Sequence, residues 1–155
     1  MDISLKNRIF TPERYLICII LLVGTGGILY GFDVGVISGA LLLIQKTIAL
    51  SNTQLEIIVG AVFAGSLFGT LFSGPLADKI GRRVVIAISA ATFIAGIFLV
   101  ISSQGFILLF SGRLLLGVGI GIVSVAVPLY ALELAPTEHR GLCVGVFQLF
   151  LTSGI

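Results

Sequence analysis

The sequence predicts an all-α, polytopic membrane bundle, and three observations carry that prediction. The chain of 155 residues is 57% hydrophobic and only 10% charged, whereas a soluble globular domain carries about 25% charged residues. Its apolar residues fall in long uninterrupted runs, close to the roughly 20 residues that cross a bilayer as a helix. The connections between the runs are short and polar. A soluble fold of this length would have too little polar surface to cover its outside. Strands of a membrane barrel would alternate over about 10 residues, and these runs do not alternate.

Taken in order, the first span covers 15–44. It is longer than a signal-peptide core and has no A-x-A-like cleavage site at its near end, so it stays as a span. Its length predicts a tilt or a break. The second span covers 55–77 and follows two overlapping capping boxes, Ser51 with Gln54 and Thr53 with Glu56. The third covers 84–102 and ends in the polar hairpin Ser102-Ser-Gln-Gly105. The fourth covers 106–132. A fifth covers 141–155 and stops inside an apolar run, Leu151-Thr-Ser-Gly-Ile155, without a polar tail. This predicts one transmembrane domain over 1–155, about four and a half helices, cut within a span. Twenty glycines suit close helix packing in lipid.

Charge sets the expected orientation. Lys6, Arg8 and Arg14 precede span one; Lys79, Arg82 and Arg83 lie between spans two and three; Arg140 lies between spans four and five. Only Lys46 falls on the other side. The positive-inside rule then puts the N-terminus in the cytoplasm.

Composition also removes whole classes of function. A formal net charge of +2 offers no basic footprint for nucleic acid. Cys18 and Cys143 lie in apolar stretches with no metal-ligand or CxxC spacing, and read as inert buried thiols. His139 stands alone in a polar loop and reads as solvated. There is no P-loop, nucleophile–base set or metal cluster. Gly117-Val-Gly-Ile-Gly121 lies within an apolar span, not at a strand-to-helix turn, so it is no dinucleotide fingerprint. The chain reads as a non-enzyme without metal or organic cofactor.

Two ionised residues inside the spans carry the functional expectation. Asp33 sits in Gly26-Gly-Ile-Leu-Tyr-Gly-Phe-Asp33, and Arg113 in Ser111-Gly-Arg113. A charge at mid-bilayer costs at least about 2.5–3.5 kcal/mol, and such residues face a cavity or each other. At 1.5 Å per helical residue, Asp33 lies about 27 Å along span one from Tyr15, and Arg113 about 10 Å along span four from Phe106. Both then fall in the outer half, at depths that allow pairing. Burial disfavours an ionised carboxylate and a nearby guanidinium favours it, while arginine stays charged. A changing Asp33–Arg113 distance would therefore couple proton binding to conformation. The simpler alternative is an Arg113 that snorkels outward and an Asp33 that caps a helix break.

A second charged group surrounds the span ends. Gly74-Pro-Leu-Ala-Asp78-Lys-Ile-Gly-Arg82-Arg83 and Glu133-Leu-Ala-Pro136-Thr-Glu-His-Arg140-Gly141 lie on the same side. Gly81 permits the turn, and opposite charges on the two loops could latch helix ends together. The alternative is that these charges only set topology, since surface ion pairs contribute little.

In series, these motifs resemble the sugar porter family of the major facilitator superfamily. The matching pieces are Gly26 to Asp33 with Ile37-Ser-Gly39, Asp78 to Arg83, Gly112-Arg113, Pro128-Leu-Tyr130, Glu133-Leu-Ala-Pro136, Arg140-Gly141, and Gln148 with Gly154. The resemblance implies the partial N-terminal half of a twelve-helix fold built from inverted three-helix repeats. It implies Asp33 as proton-coupling carboxylate with Arg113 as its partner, Gln148 as a sugar-hydroxyl contact and Tyr30 as an aromatic wall. It implies Asp78, Arg82, Arg83, Glu133 and Arg140 as a cytoplasmic latch. An amide offers a sugar both donor and acceptor; the alternatives are a helix–helix hydrogen bond for Gln148 and plain apolar packing for Tyr30. Phe32 stands where tyrosine is common in the family. The implied function of the full-length protein is proton-coupled monosaccharide symport (pentose or hexose) by alternating access, in a bacterial inner membrane. The proton would be the coupling ion; the partners would be the sugar, membrane lipids and the missing C-terminal half. A passive facilitator and an inactive truncated remnant are the other expectations.

Overall fold

The computed structural model describes residues 12–47, 50–135 and 137–155. Lys6 and Arg8 lie outside the described residues, as do the side chains of Arg14, Cys18 and Lys46. Five helices account for nearly all of the described chain: α1 Pro12–Thr47, α2 Asn52–Ile80, α3 Arg82–Ile101, α4 Phe106–Leu134 and α5 Arg140–Gly154, with one 3-10 turn at Thr137–His139 before α5. No strand occurs among the described residues. Four of the helices contain segments long and apolar enough to cross a membrane, Ile19–Ile37, Asn52–Ile80, Arg82–Ile101 and Phe106–Leu134.

The helix ends follow local chemistry. Ser51 caps α2: its hydroxyl accepts from the Gln54 N–H at 3.3 Å, and its own N–H donates to Gln54 Oε1 at 3.0 Å. The second box is not used, because Asn52 is already helical and Thr53 therefore lies inside the first turn. Gly81 joins α2 to α3 with φ of 91°, a conformation that side chains with a Cβ rarely adopt. Its N–H closes on the Ala77 carbonyl at 3.1 Å.

α1 runs 36 residues without interruption, about 54 Å at the helical rise. Of the tilt or break expected in span one, no break is present, and Asp33 is a mid-helix residue rather than a cap. The glycines here do not open the helix, because in lipid each freed backbone group would need another partner. They serve packing instead. A Cβ on Gly27 would stand 2.6 Å from the Phe147 carbonyl oxygen, and one on Gly35 would stand 2.7 Å from that of Ile155. In return, a Cβ on Gly154 would stand 2.7 Å from the Ile28 carbonyl. The α1 and α5 backbones thus touch directly.

α2 and α4 repeat this contact. Ala61, Gly65, Gly69, Ser73 and Ala77 form a buried stripe of small residues on α2. Gly65 and Gly69 face the carbonyls of Leu114 and Val118, while Gly117 and Gly121 of α4 face those of Val62 and Ser66. Two hydroxyls cross the seam, Thr70 Oγ1 to Gly121 O at 3.3 Å and Ser73 Oγ to Ile122 O at 3.4 Å. α3 packs on the far flank of α4, where Gly96 meets Leu116 and Gly112 meets Val100. α4 is therefore the central post. One apolar core joins Ile19 and Val23 of α1 to Val127 and Ala131 of α4 and Cys143 and Phe147 of α5. Another joins Ala77, Val85, Ile122 and Ala126. The Cys143 thiol is buried in the first core and is free.

Candidate functional site

Asp33 and Arg113 meet. Arg113 Nη1 lies 3.5 Å from Asp33 Oδ1, and the side chains are 5% and 12% exposed respectively. The outward-snorkelling alternative for Arg113 does not hold in this geometry. The distance exceeds the roughly 2.7–2.9 Å of a charge-assisted hydrogen bond, so the pair is an ion pair without a tight clamp. Arg113 Nε is buried and has no hydrogen-bond partner among the described residues.

The local sequence explains why the pair can form. Gly31 and Gly35 flank Asp33 on α1 and draw it against α5, while Gly112 and Gly117 flank Arg113 and let α3 and α2 close on α4. A cleft of about 70 Å³ opens between α1, α2 and α4, lined by Tyr30, Asp33, Val59, Phe63, Ser66 and Arg113 among others. A larger apolar groove of about 390 Å³ lies between α1, α3 and α4, bordered by Leu29, Ile86, Phe93 and Val127. Tyr30 borders both and also packs against the α1–α4–α5 core. Gln148 stands apart: it is exposed on α5 and lines neither space.

The second charged group assembles at the α2–α3 and α4–α5 end of the bundle. Arg82 Nη1 lies 2.6 Å from Asp78 Oδ1, and Arg82 Nε donates to Glu133 Oε1 at 2.8 Å. Arg82 thus bridges α2 and α4 from the first residue of α3. The neighbouring Arg83 donates from Nε to the Tyr130 hydroxyl at 2.6 Å, with its guanidinium 6.0 Å from the ring centroid. Arg140 is exposed at the start of α5 and makes no ion pair with this group among the described residues. Four of the five expected latch residues are therefore in or beside one network, and Arg140 is not.

Three contributors were given no site role by the sequence, although Tyr130 lies in the Pro128-Leu-Tyr130 motif. Tyr130 is the Arg83 partner; its place one helical turn before Glu133 was the available signal. Ser66 and Val59 form the α2 wall of the cleft, and only the small-residue spacing of α2 hinted at which face turns toward α4. No cluster of metal-ligating side chains occurs among the described residues.

Comparison with known proteins gives a consistent picture. A family profile described as "Sugar (and other) transporter" matches residues 18–155. The chain is 46% identical to the glucose transporter GlcP of Staphylococcus epidermidis, over 92% of this chain and 32% of that protein. It is 41% identical to a D-xylose transporter of Levilactobacillus brevis, over 84% of this chain and 28% of that protein. The chain thus spans about a third or less of these relatives. Its fold superposes on the inward-open xylose transporter XylE from E. coli with a TM-score of 0.78 and 26% identity, covering 90% of this chain and 37% of that one.

Proposed function

Since the chain belongs to the sugar (and other) transporter family, and is an integral membrane helical bundle with the partial N-terminal half of a major facilitator fold, we propose that it supplies the proton-coupling half of a monosaccharide symporter. The observation that carries this reading is the buried Asp33–Arg113 pair beside an open cleft. A carboxylate there can be neutralised either by Arg113 or by a proton. A conformational change that separates the two side chains exchanges one for the other, and so ties proton binding to alternating access. At 100 mV, one charge moved supplies about 2.3 kcal/mol, or roughly fifty-fold accumulation.

The other roles follow from position. The Asp78–Arg82–Glu133 bridge and the Arg83–Tyr130 contact hold the ends of α2, α3 and α4 together. By the positive-inside rule this end faces the cytoplasm of a bacterial inner membrane, where the contacts act as a latch that opens when the transporter changes state. Arg140 would join the latch only in another state. Tyr30 walls the sugar path next to Asp33. Gln148, exposed on α5, is available to a sugar hydroxyl. Hexose or pentose substrates fit the glucose and xylose named for the two relatives.

The test uses the full-length protein in proteoliposomes. Asp33→Asn should abolish accumulation against a gradient while sugar exchange without a gradient persists. Accumulation that survives the substitution would falsify the proton role and leave passive facilitation as the reading.

A further inference from the structure

The cleft holds a second, unused chemistry. Arg113 is 4% exposed and lines a space of about 70 Å³, and its Nε–H has no acceptor among the described residues. A buried donor left unmatched costs about 1–3 kcal/mol, more for a charged group. Across the same cleft, Ser66 spends its only hydroxyl proton on the Phe63 carbonyl at 2.9 Å, so its oxygen lone pairs remain as acceptors. Asp33 contributes a carboxylate that meets Arg113 only at 3.5 Å. The space is far below the roughly 300 Å³ at which small-molecule pockets begin, so a sugar does not fit. Its lining has one cation and one anion, so neither an anion nor a cation is favoured. A water needs about 10–15 Å³ of probe-sized space and two to four polar partners, and the cleft offers both.

We infer that this cleft is a water site, in which about two waters accept from Arg113 Nε, donate to Ser66 Oγ and to Asp33, and form the proton's route to the carboxylate. The inference rests on the reading of Asp33 as the coupling group. Donation from the guanidinium polarises the bound water and makes it a better proton donor. One of its protons passes to Asp33 Oδ, a proton from the next water at the cleft mouth replaces it, and a hydronium ion of the bulk solvent gives that water its proton back. The outgoing step is the reverse and returns the proton to solvent. α2 thereby gains a part in coupling that its apolar sequence conceals: Val59 and Ser66 bound the water rather than the ion pair.

Hydroxyl-radical footprinting by X-ray radiolysis tests this in the full-length protein in lipid nanodiscs, because bound water labels its buried neighbours. Ile120 borders the cleft and is 3% exposed; Ile58 at 0% and Leu109 at 1% border neither this cleft nor the larger groove. Ile120 should be labelled about threefold or more faster than either. Val59→Phe fills the cleft and should bring Ile120 down to their level. Val59 borders only this cleft, whereas Ile120 also borders the α1–α3–α4 groove, so the variant separates the two spaces. Equal labelling of the three residues in the unmodified protein overturns the inference. So does an excess at Ile120 that persists in a Val59→Phe protein whose melting temperature is unchanged. Where Val59→Phe does not fold, Ser66→Ala replaces it: a reduced excess supports the site, and an unchanged one overturns it. The labelling is independent of coupling, so accumulation that survives Asp33→Asn would sink the proton role while leaving the water site standing.

Discussion

Removing either member of the Asp33–Arg113 pair should destabilise the bundle, but by unequal amounts. The side chains are 12% and 5% exposed and 3.5 Å apart. Breaking a buried pair by deleting one partner costs about 3–5 kcal/mol. The long separation and the adjoining cleft place this pair near the lower limit, so Asp33→Asn should cost about 3 kcal/mol. The reason is that Asn strands a guanidinium, which cannot shed its charge. Arg113→Met strands a carboxyl instead, which can take a proton and become neutral; its loss should be smaller, about 1 kcal/mol. The double variant removes both charges and should lie within about 1 kcal/mol of the parent, so the coupling energy should be about 3 kcal/mol. Denaturant unfolding of the four proteins in lipid nanodiscs measures the cycle. A double variant whose loss equals the sum of the two single losses would refute the pairing argument. Equal losses for the two single variants would refute the claim that protonation relieves only one of them.

The glycine seams make a matched pair of expectations. Gly69→Ala drives a methyl into the Val118 carbonyl and should cost about 1–3 kcal/mol, whereas Gly60→Ala, with nothing within 4 Å, should stabilise α2 by about 0.5–1 kcal/mol; thermal melts of the two variants in the same nanodisc check the contrast. Gly81→Ala has open space around it but an unfavourable backbone, φ 91° and ψ 145°, so it should lose about 1–3 kcal/mol from backbone strain alone, and Gly81→Asn should lose as much, because that ψ lies outside the left-handed helical region that Asn tolerates. Tyr130→Phe keeps the ring beside Arg83 and removes the 2.6 Å hydrogen bond. Sugar exchange should change several-fold while unfolding stability moves by about 1 kcal/mol or less, and an unchanged exchange rate would reduce the contact to surface packing.

Much of this was written in residue types, and the parts that were not share a physical cause. The helical membrane bundle followed from continuous apolar runs, and the meeting of Asp33 with Arg113 from depth along two helices. Helix rotation was harder to read. Period-3.6 patterns mark a buried face only when the other face is polar, and here outward-facing side chains are as apolar as the core: Phe68, Phe72, Phe98 and Ile107 are all more than half exposed. The small-residue period of four on α2, from Ala61 to Ala77, was the remaining rotational signal. Gln148 shows the limit. The resemblance implies a role for it, but its direction depends on how α5 turns, and it lies exposed on α5 rather than among the residues lining the cleft. Arg140 is likewise exposed, as the first residue of α5 after the 3-10 turn at Thr137–His139, and pairs with no member of the Arg82 network among the described residues. The length of span one predicts a tilt or a break, and α1 runs unbroken; glycine, which composition already marks as a packing residue, does not open it. Between membrane helices glycine is a spacer, and the helix keeps its own hydrogen bonds.

That distinction bears on how coupling could work. At the seams of α1 with α5 and of α2 with α4, carbonyl oxygens lie against glycine positions, and a backbone contact has no rotamers through which to yield. Each pair should therefore move as one body. α4 also carries α3 on its far flank, so α2, α3 and α4 form one block and α1 with α5 the other. Asp33 belongs to the second block and Arg113 to the first. The ion pair is thus a polar contact across a boundary where the backbones do not interlock, and the cleft opens at that same boundary. A small rotation between the blocks would change the Asp33–Arg113 distance while leaving both glycine seams intact. Cysteine cross-links separate this from motion within a block. Locking Phe32 to Ser153, one residue each from the Gly31–Gly154 contact, should spare transport, whereas a link from α1 to α2 across the cleft, such as Val34 to Val59, should arrest it. Transport that survives the second link but not the first would place the moving boundary elsewhere.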